Sequence, residues 1–332
     1  MISRWKAGLS TTAVRLQGFL RRSRQRGSLP FLLAAAVVGM TWADLRMPQE
    51  SEVRDVLFVL DISESMNVPD AAYPKAGSRR LTHAKALVSD MMADLPCGSK
   101  TSLALFAGDE TVVLFEPLEV CAHYPAMEKV VSQLDTRMRW IGDSWVVRGV
   151  KQAIEAAQAR QMHLVFISDG DEMPHHEHPR IAELLPYKRK IHGLLIGVGG
   201  TTLQPVPHLN SRGEVTRYWT PEEAVIEGNY PNLLAMVKSL LPGQAMDATE
   251  AAEVREHQSQ LNVALMQQLA SALDMPYLQA PQSQQALPWL RTAAISHSTV
   301  AKQDARWMPG LIACGLVLLG WFWTALPARW RH

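Results

Sequence analysis

The sequence is poor in cysteine, in net charge and in dinucleotide-binding glycine motifs. Its three cysteines, Cys97, Cys121 and Cys314, form no C-x-x-C pair, which excludes a disulfide-rich scaffold and the common zinc motifs. Lysine and arginine number 33 against 32 aspartates and glutamates, a net charge of +1, so overall charge does not indicate a nucleic-acid partner. The glycines of residues 197–200 end an apolar run and do not open a helix, which argues against a dinucleotide site.

Two apolar segments lie towards the ends of the chain. Residues 29–44 follow a basic segment, residues 1–28, and predict a signal anchor or transmembrane helix, with a cleaved signal peptide as the alternative. Residues 308–326 carry no charge and predict a second transmembrane helix, followed by a basic tail at residues 327–332. Because basic flanks favour the cytoplasm, the residues between the two segments are expected on the far side of the inner membrane, in the periplasm of a bacterium.

One predicted strand ends in three oxygen-bearing side chains. Residues 56–60 are apolar and rich in valine and leucine, which is typical of a buried strand in a parallel sheet. Asp61, Ser63 and Ser65 follow at alternate positions, at the carboxyl end where open α/β sheets place their ligands. One carboxylate and two hydroxyls suit Mg²⁺, with Mn²⁺ or Ca²⁺ as alternatives. A plain polar turn is the simpler interpretation, because aspartate and serine are common turn residues.

Strands and helices alternate from residue 52 to residue 296. Besides residues 56–60, the pattern predicts strands at residues 101–107, 111–115, 163–167 and 191–199, and helices at residues 81–95, 124–134, 146–160, 246–260 and 261–273. This alternation predicts an α/β fold with a doubly wound, mostly parallel sheet, in which residues 111–115 form an antiparallel edge strand. The proline- and glycine-containing residues 201–230 are predicted to form a long loop.

The motif Asp61-x-Ser63-x-Ser65 after a buried strand resembles the metal-ion-dependent adhesion site of von Willebrand factor type A domains. This resemblance implies two further metal ligands on separate loops. Ser144 stands where the family usually carries a threonine and keeps the hydroxyl; it could also serve as a helix cap, and the two roles are not exclusive. Asp169, in Ser-Asp-Gly after the strand at residues 163–167, stands at the family's third-loop position.

Membrane-anchored domains of this family include the Bat proteins of aerotolerance clusters and the MxaL-type accessory proteins of methanol-dehydrogenase clusters. The sequence looks closest to the MxaL type in the stretches Asp61-Ile-Ser-Glu-Ser-Met-Asn, Leu95-Pro-Cys-Gly-Ser and Glu119-Val-Cys. The resemblance implies an accessory factor that helps to mature, or load with metal, a quinoprotein methanol-type dehydrogenase. It also implies other membrane-anchored type A domain proteins and a MoxR-type ATPase as partners, with a Bat-like stress-tolerance assembly factor as the alternative function.

The expected activity is binding, not catalysis. A site with few charges leaves its ion electrophilic, so that an aspartate or glutamate of a periplasmic partner can replace a bound water. A metal-dependent hydrolase would need a nearby general base, for which His83 and His123 are loose candidates. A purely structural membrane protein is disfavoured because Gly315 and Gly320 lack the G-x-x-x-G spacing.

Cys97 and Cys121 present two alternatives. In an oxidising compartment they could form a bridge, which would close about 25 residues and stabilise the fold by roughly 3–4 kcal/mol. Otherwise they would be two small buried side chains that do not meet. The histidines of residues 175–178 lack the His-Glu-x-x-His spacing of a zinc helix and are predicted to lie on a solvated loop.

Overall fold

The computed structural model of the protein describes residues 29–42, 45–172, 179–221, 223 and 257–325. The predicted basic segment 1–28, the tail 327–332, the histidines 175–178 and most of the helix predicted at 246–260 lie outside the described residues. The chain divides into two compact units, one made of residues 1–49 and 300–332 and the other of residues 50–299.

The helices are α1 (Leu29–Gly39), α2 (Arg80–Asp94), α3 (Val120–Gln133), α4 (Val146–Ala159), α5 (Val263–Leu273), α6 (Ser283–Leu290) and α7 (Trp307–Ala325). The strands are β1 (Arg46–Val53), β2 (Val56–Asp61), β3 (Lys100–Ala107), β4 (Glu110–Glu119), β5 (His163–Ser168), β6 (Gly193–Gly197), β7 (Gln204–Pro205), β8 (Pro207–Leu209), β9 (Val215–Tyr218), β10 (Gln258–Ser259), β11 (Tyr277–Gln279) and β12 (His297–Asp304). Short 3₁₀ turns occupy Met40–Trp42, Glu64–Asn67, Thr136–Met138, Ile181–Tyr187 and Ala293–Ile295.

In the first unit, α1 and α7 pack closely against each other. A Cβ added to Gly320 would lie 2.9 Å from the ring of Phe31, so the glycine allows this approach. Among the described residues, no helix is both long enough and apolar enough to cross a membrane. The predicted spans at 29–44 and 308–326 are therefore not confirmed; α1, for example, has 11 residues, and a span needs about 20.

The second unit is built on a six-stranded sheet with the order β11-β6-β5-β2-β3-β4. β2 pairs in parallel with both β3 and β5, β6 pairs in parallel with β5 and β11, and β4 runs antiparallel to β3 at the edge. The predicted mostly parallel sheet with an antiparallel edge strand is confirmed. β2 and β5 lie in the middle, and every residue of β2 is buried, as its apolar composition predicts.

Helices cover both faces of this sheet, which makes the fold doubly wound. Alternate residues of β2 point to opposite faces: Phe58 packs with α2, α3 and α6, whereas Val59 packs with α4 and α5. α4 approaches the sheet closely at Gly149, where a Cβ would lie 2.2 Å from the ring of Phe106. The two layers hold the ends of β2 and β5 in fixed positions between them.

Several predicted boundaries are wrong. α3 begins at Val120 instead of residue 124, because the Glu119 side chain accepts a hydrogen bond from Ala122 N and caps the helix. The helix predicted through residue 260 is replaced at its end by β10, which pairs with β7. The predicted loop at 201–230 contains three short strands, of which β8 and β9 form an antiparallel hairpin.

Cys97 and Cys121 form a disulfide, with their Cα atoms 5.2 Å apart. The bridge ties the turn before β3 to the first turn of α3. Glu119 reinforces this connection, because its second carboxylate oxygen accepts a hydrogen bond of 2.6 Å from Gly98 N. The bridge therefore lies at the amino end of β3.

Candidate metal site at the carboxyl edge of the sheet

The sheet topology brings the loops that follow β2 and β5 to one edge. β2 ends at Asp61 and β5 ends at Ser168, and these neighbouring strands pair in register up to Leu60 and Ile167. Side chains that follow the two strands must therefore be neighbours, although more than a hundred positions separate them in the sequence. This is the edge at which open α/β sheets bind their ligands.

The first loop folds its three oxygen-bearing side chains together. Asp61 Oδ1 accepts a hydrogen bond of 2.8 Å from Ser63 N, which turns the chain directly after β2. The 3₁₀ turn Glu64–Asn67 then returns Ser65 towards Ser63, and their hydroxyl oxygens lie 3.0 Å apart. All three side chains are buried. The predicted grouping of Asp61, Ser63 and Ser65 is thus present.

The third loop joins the first through two serines. Ser168 Oγ donates a hydrogen bond of 2.6 Å to Asp61 Oδ2, and it also accepts one of 2.8 Å from Gly170 N. The Ser65 side chain is among the groups that oppose the rise in the pKa of Asp169, which brings this aspartate close to the first loop. Gly170 has a φ of +66°, and a Cβ there would lie 2.8 Å from Met266, so the sharp turn after Asp169 favours glycine.

The second loop contributes Ser144, which is buried with 1% exposure. Its backbone bridges to Gly108, the residue that follows β3, so Ser144 lies beside the carboxyl end of the strand next to β2. Its hydroxyl has no hydrogen-bond partner among the described residues. The alternative role as a helix cap is wrong, because the N-cap of α4 is Trp145. A buried hydroxyl without a partner lowers the stability of the fold by about 1–3 kcal/mol. A ligand that bonded to the Ser144 hydroxyl would offset this loss.

The surroundings of Asp61 and Asp169 disfavour the charged form of both carboxyl groups. Burial, followed by the charge of Asp169, raises the pKa of Asp61 to about 7 even though hydrogen bonds from Ser168 and Ser63 oppose the shift. Burial also raises the pKa of Asp169, although the charge of Arg80 partly opposes this effect. Two buried carboxylates with raised pKa values form a site that a cation would stabilise.

Several residues at this edge were not predicted from the sequence as part of the site. One is Ser168, which orients Asp61. The others are Arg80 and the two residues to which its guanidinium is hydrogen-bonded, Asp70 and Ser259. Ser168 had a recognisable signal, since it ends the same buried strand that Asp169 follows. Asp171 and Glu172 are also buried, and Glu172 Oε1 lies 3.5 Å from Val147 N in the first turn of α4. Glu172 therefore faces the amino end of that helix, where a carboxylate is favourable.

The two candidate general bases are placed unfavourably for hydrolysis. His83 is buried, and its Nε2 lies 2.7 Å from the carbonyl oxygen of Pro281. His123 is exposed in the first turn of α3, which begins beside the amino end of β3, at the opposite edge of the sheet. Within the described residues, no group of three or more histidine, cysteine, aspartate or glutamate side chains could hold a metal ion. A metal site at this edge must therefore rely on serine hydroxyls as well as carboxylates.

Residues 56–172, which contain all three loops, match the family model of the von Willebrand factor type A domain. The protein contains a von Willebrand factor type A domain. The match begins at the first residue of β2 and ends just after Asp169, so it includes every predicted ligand of the metal site. The remainder of the chain lies outside this match, and no curated protein sequence matches the chain.

Solved structures with a similar arrangement include two bacterial proteins. An aerotolerance-related membrane protein from Bacteroides fragilis shares 20% identity and covers 71% of this chain and 96% of its own, with a TM-score of 0.48. BatB from Bacteroides thetaiotaomicron shares 18% identity and covers 71% of this chain and 95% of its own, with a TM-score of 0.49. Likeness at this level assigns neither an activity nor a partner to the type A domain described here.

Proposed function

We propose that the protein is a metal-dependent protein-binding module whose site is formed by Asp61, Ser63, Ser65, Ser144 and Asp169. The observation that carries the proposal is the buried hydroxyl of Ser144, which lacks a partner among the described residues at the edge where two buried carboxylates meet. Hard oxygen donors of this kind suit Mg²⁺, and Mn²⁺ or Ca²⁺ as alternatives. A bound divalent ion would supply an electrophilic position that a partner's carboxylate could fill.

The chain's own residues hold this site in shape. Asp61 is fixed on both oxygens, by Ser63 N on one side and by Ser168 Oγ on the other. Ser63 is the N-cap of the following turn, but its side chain makes no capping hydrogen bond to the described backbone. The hydroxyls therefore remain directed to each other and to the site, and a partner would meet a pre-formed arrangement.

The surface next to the site suits a protein partner. Met138, Trp140 and Ile141, which precede Ser144, are exposed by 50%, 43% and 45%. Arg139 forms an ion pair of 2.8 Å with Glu64, which lies between Ser63 and Ser65 in the first loop. Exposed apolar side chains grouped near a polar site are typical of interaction surfaces. An acidic residue flanked by apolar side chains is the partner feature that fits this surface.

The biological role within this proposal follows from the sequence resemblance. We expect an accessory factor in the maturation or metal loading of a periplasmic methanol-type dehydrogenase, held at the inner membrane by the apolar segments at residues 29–44 and 308–326. Other membrane-anchored type A domain proteins and a MoxR-type ATPase are the further partners. The alternative is a Bat-like stress-tolerance assembly factor, which would use the same metal-dependent binding with a different client.

An affinity capture experiment tests the proposed function. The tagged full chain is used as bait with an extract of the cells that produce it, in Mg²⁺, in EDTA, and with the Asp61→Ala variant in Mg²⁺. We expect a protein that is retained in Mg²⁺ and lost under the other two conditions, and its identity separates the dehydrogenase role from the Bat-like one. Equal retention under all three conditions would show that the site is not the docking surface.

A further inference from the structure

Arg80, at the start of α2, is completely buried next to the candidate metal site. Its Nη1 donates hydrogen bonds of 2.7 Å to Asp169 Oδ2 and 2.6 Å to Ser259 Oγ. Nε and Nη2 donate to the two carboxylate oxygens of Asp70 over 2.9 and 2.7 Å. Nη2 also donates to the carbonyl oxygen of Ser259 over 3.2 Å. These bonds engage all five N–H donors that a guanidinium offers.

The surrounding backbone leaves a space shaped for this side chain. Gly199 has a φ of +111°, and a Cβ at that position would lie 2.4 Å from Arg80 Nε. At the next residue, Gly200, a Cβ would lie 3.3 Å from the carboxylate of Asp70. Gly199 and Gly200, which follow β6, therefore leave room for the Arg80 guanidinium and the Asp70 carboxylate. This role does not involve a dinucleotide.

Arg80 changes the charge balance of the site. Asp61 and Asp169 bring two negative charges to this edge, and burial makes isolated carboxylates costly. Arg80 contacts Asp169 directly, whereas Asp70 holds the far side of the guanidinium and offsets part of its charge. Burial alone would lower the pKa of Arg80, but its bonds and charge interactions with Asp70 and Asp169 raise it overall. Arg80 therefore stays charged at any physiological pH.

We propose that Arg80 is an internal counter-cation that limits how tightly the site binds a divalent ion. This inference rests on the proposed function, because it assumes that the site takes such an ion. The guanidinium keeps Asp169 compensated when no ion is bound, so the loops are formed in advance. It also offsets one of the negative charges that would attract an ion. The affinity of oxygen-ligand sites for divalent ions depends on how many charged ligands they contain.

Two substitutions in the ion pair of Arg80 and Asp70 should change the Mn²⁺ affinity in opposite directions. Arg80→Met removes a positive charge, so Mn²⁺ affinity should rise by about tenfold, the order expected for a unit charge near the site. Asp70→Asn removes the offsetting negative charge, so Mn²⁺ affinity should fall by about threefold, since Asp70 stands behind Arg80. Ser259→Ala removes a neutral contact of the same guanidinium and serves as the matched control, with affinity changed by less than about twofold.

The experiment is a Mn²⁺ titration of the purified full chain and the three variants, followed by electron paramagnetic resonance of the free ion. Opposite shifts for Arg80→Met and Asp70→Asn support the proposal. A loss of affinity in Arg80→Met would overturn it, because that result indicates a role only in holding the loops.

If Arg80→Met does not fold, the other two variants decide the question. Reduced affinity in Asp70→Asn with unchanged affinity in Ser259→Ala supports charge control, and equal losses in both overturn it. The unsubstituted chain separates the two proposals. If it binds no Mn²⁺, the metal site of the proposed function fails; if it binds Mn²⁺ without the expected shifts, the inference about Arg80 alone fails.

Discussion

Ser168 donates a hydrogen bond of 2.6 Å to Oδ2 of Asp61, although the two residues are 107 positions apart in the sequence. The bond connects the last residues of two neighbouring parallel strands, β5 and β2. Together with Ser63 N on Oδ1, it fixes the orientation of the Asp61 carboxylate. The first and third loops of the type A domain are therefore held together by the protein itself.

Ser144→Ala should separate metal binding from stability. The hydroxyl is buried and has no partner within the described residues, so its removal should leave the free energy of unfolding in EDTA unchanged or raise it by about 1 kcal/mol. Mn²⁺ affinity should fall by about tenfold if the hydroxyl is a ligand. Denaturant unfolding and Mn²⁺ titration of the same samples measure both effects.

Ser168→Ala is the matched contrast, because this hydroxyl is fully engaged by Asp61 and Gly170. Its loss should lower the free energy of unfolding in EDTA by about 1–2 kcal/mol, since it leaves buried groups without a partner. If Ser144→Ala destabilises the metal-free protein as much as Ser168→Ala does, the Ser144 hydroxyl has a structural role and is not held ready for a ligand.

The raised pKa of Asp61 predicts a pH dependence of stability. The folded state holds the Asp61 proton with a pKa of about 7, against 3.8 as the ordinary value. Because the folded pKa is the higher one, the contribution to stability is fully present below about pH 4 and is lost as the pH rises through about 7. Without metal, the chain should therefore lose stability relative to Asp61→Asn between about pH 5 and about pH 7.5.

Denaturant unfolding of both proteins in EDTA at the two pH values checks this dependence. The difference in unfolding free energy between them should change by more than about 1 kcal/mol, since one pKa unit corresponds to about 1.4 kcal/mol. A difference that does not depend on pH would mean that Asp61 titrates normally. Saturating Mg²⁺ should weaken the dependence in the unsubstituted chain alone, because only that chain retains the Asp61 carboxylate.

The position of the candidate ligand Asp61 could be predicted from local sequence. It directly follows an apolar strand, at the carboxyl end where open α/β sheets bind their ligands. The alternation of strands and helices also predicted the strands β2 to β5 along the chain and the edge position of β4. Ser144 and Asp169 required the family resemblance; a serine before a helix, for example, is equally typical of a cap.

Arg80 could not be predicted, because an arginine at the start of an amphipathic helix normally lies in solvent. Its burial depends on Gly199 and on Ser259, which stand far from it in the chain. Ser259 was itself assigned to the wrong element, because the pairing of β10 with β7 overrides the local helical pattern. Long-range charge pairing and short strand pairing leave no periodic signal in the sequence.

Breaking the disulfide should affect stability without affecting the metal site. The Cys97→Ser, Cys121→Ser double variant should lose about 3 kcal/mol of unfolding free energy, as expected for a loop closed over a sequence separation of 24 residues. Mn²⁺ affinity should change by less than about twofold, because the bridge lies at the amino end of β3, opposite the site. Unfolding with and without dithiothreitol supplies the control, since the reductant should destabilise the unsubstituted chain and leave the variant unchanged.

A calorimetric titration of Mn²⁺ into the metal-free full chain and its Asp61→Asn variant tests whether the loops after β2 and β5 hold a metal ion. The substitution keeps the size of the side chain while removing the charge that Ser63 N and Ser168 Oγ hold in place. We expect one saturable site in the unsubstituted chain and an affinity at least about 100-fold weaker in the variant. Equal Mn²⁺ binding by both proteins, or none by either, would show that these loops do not form a metal site.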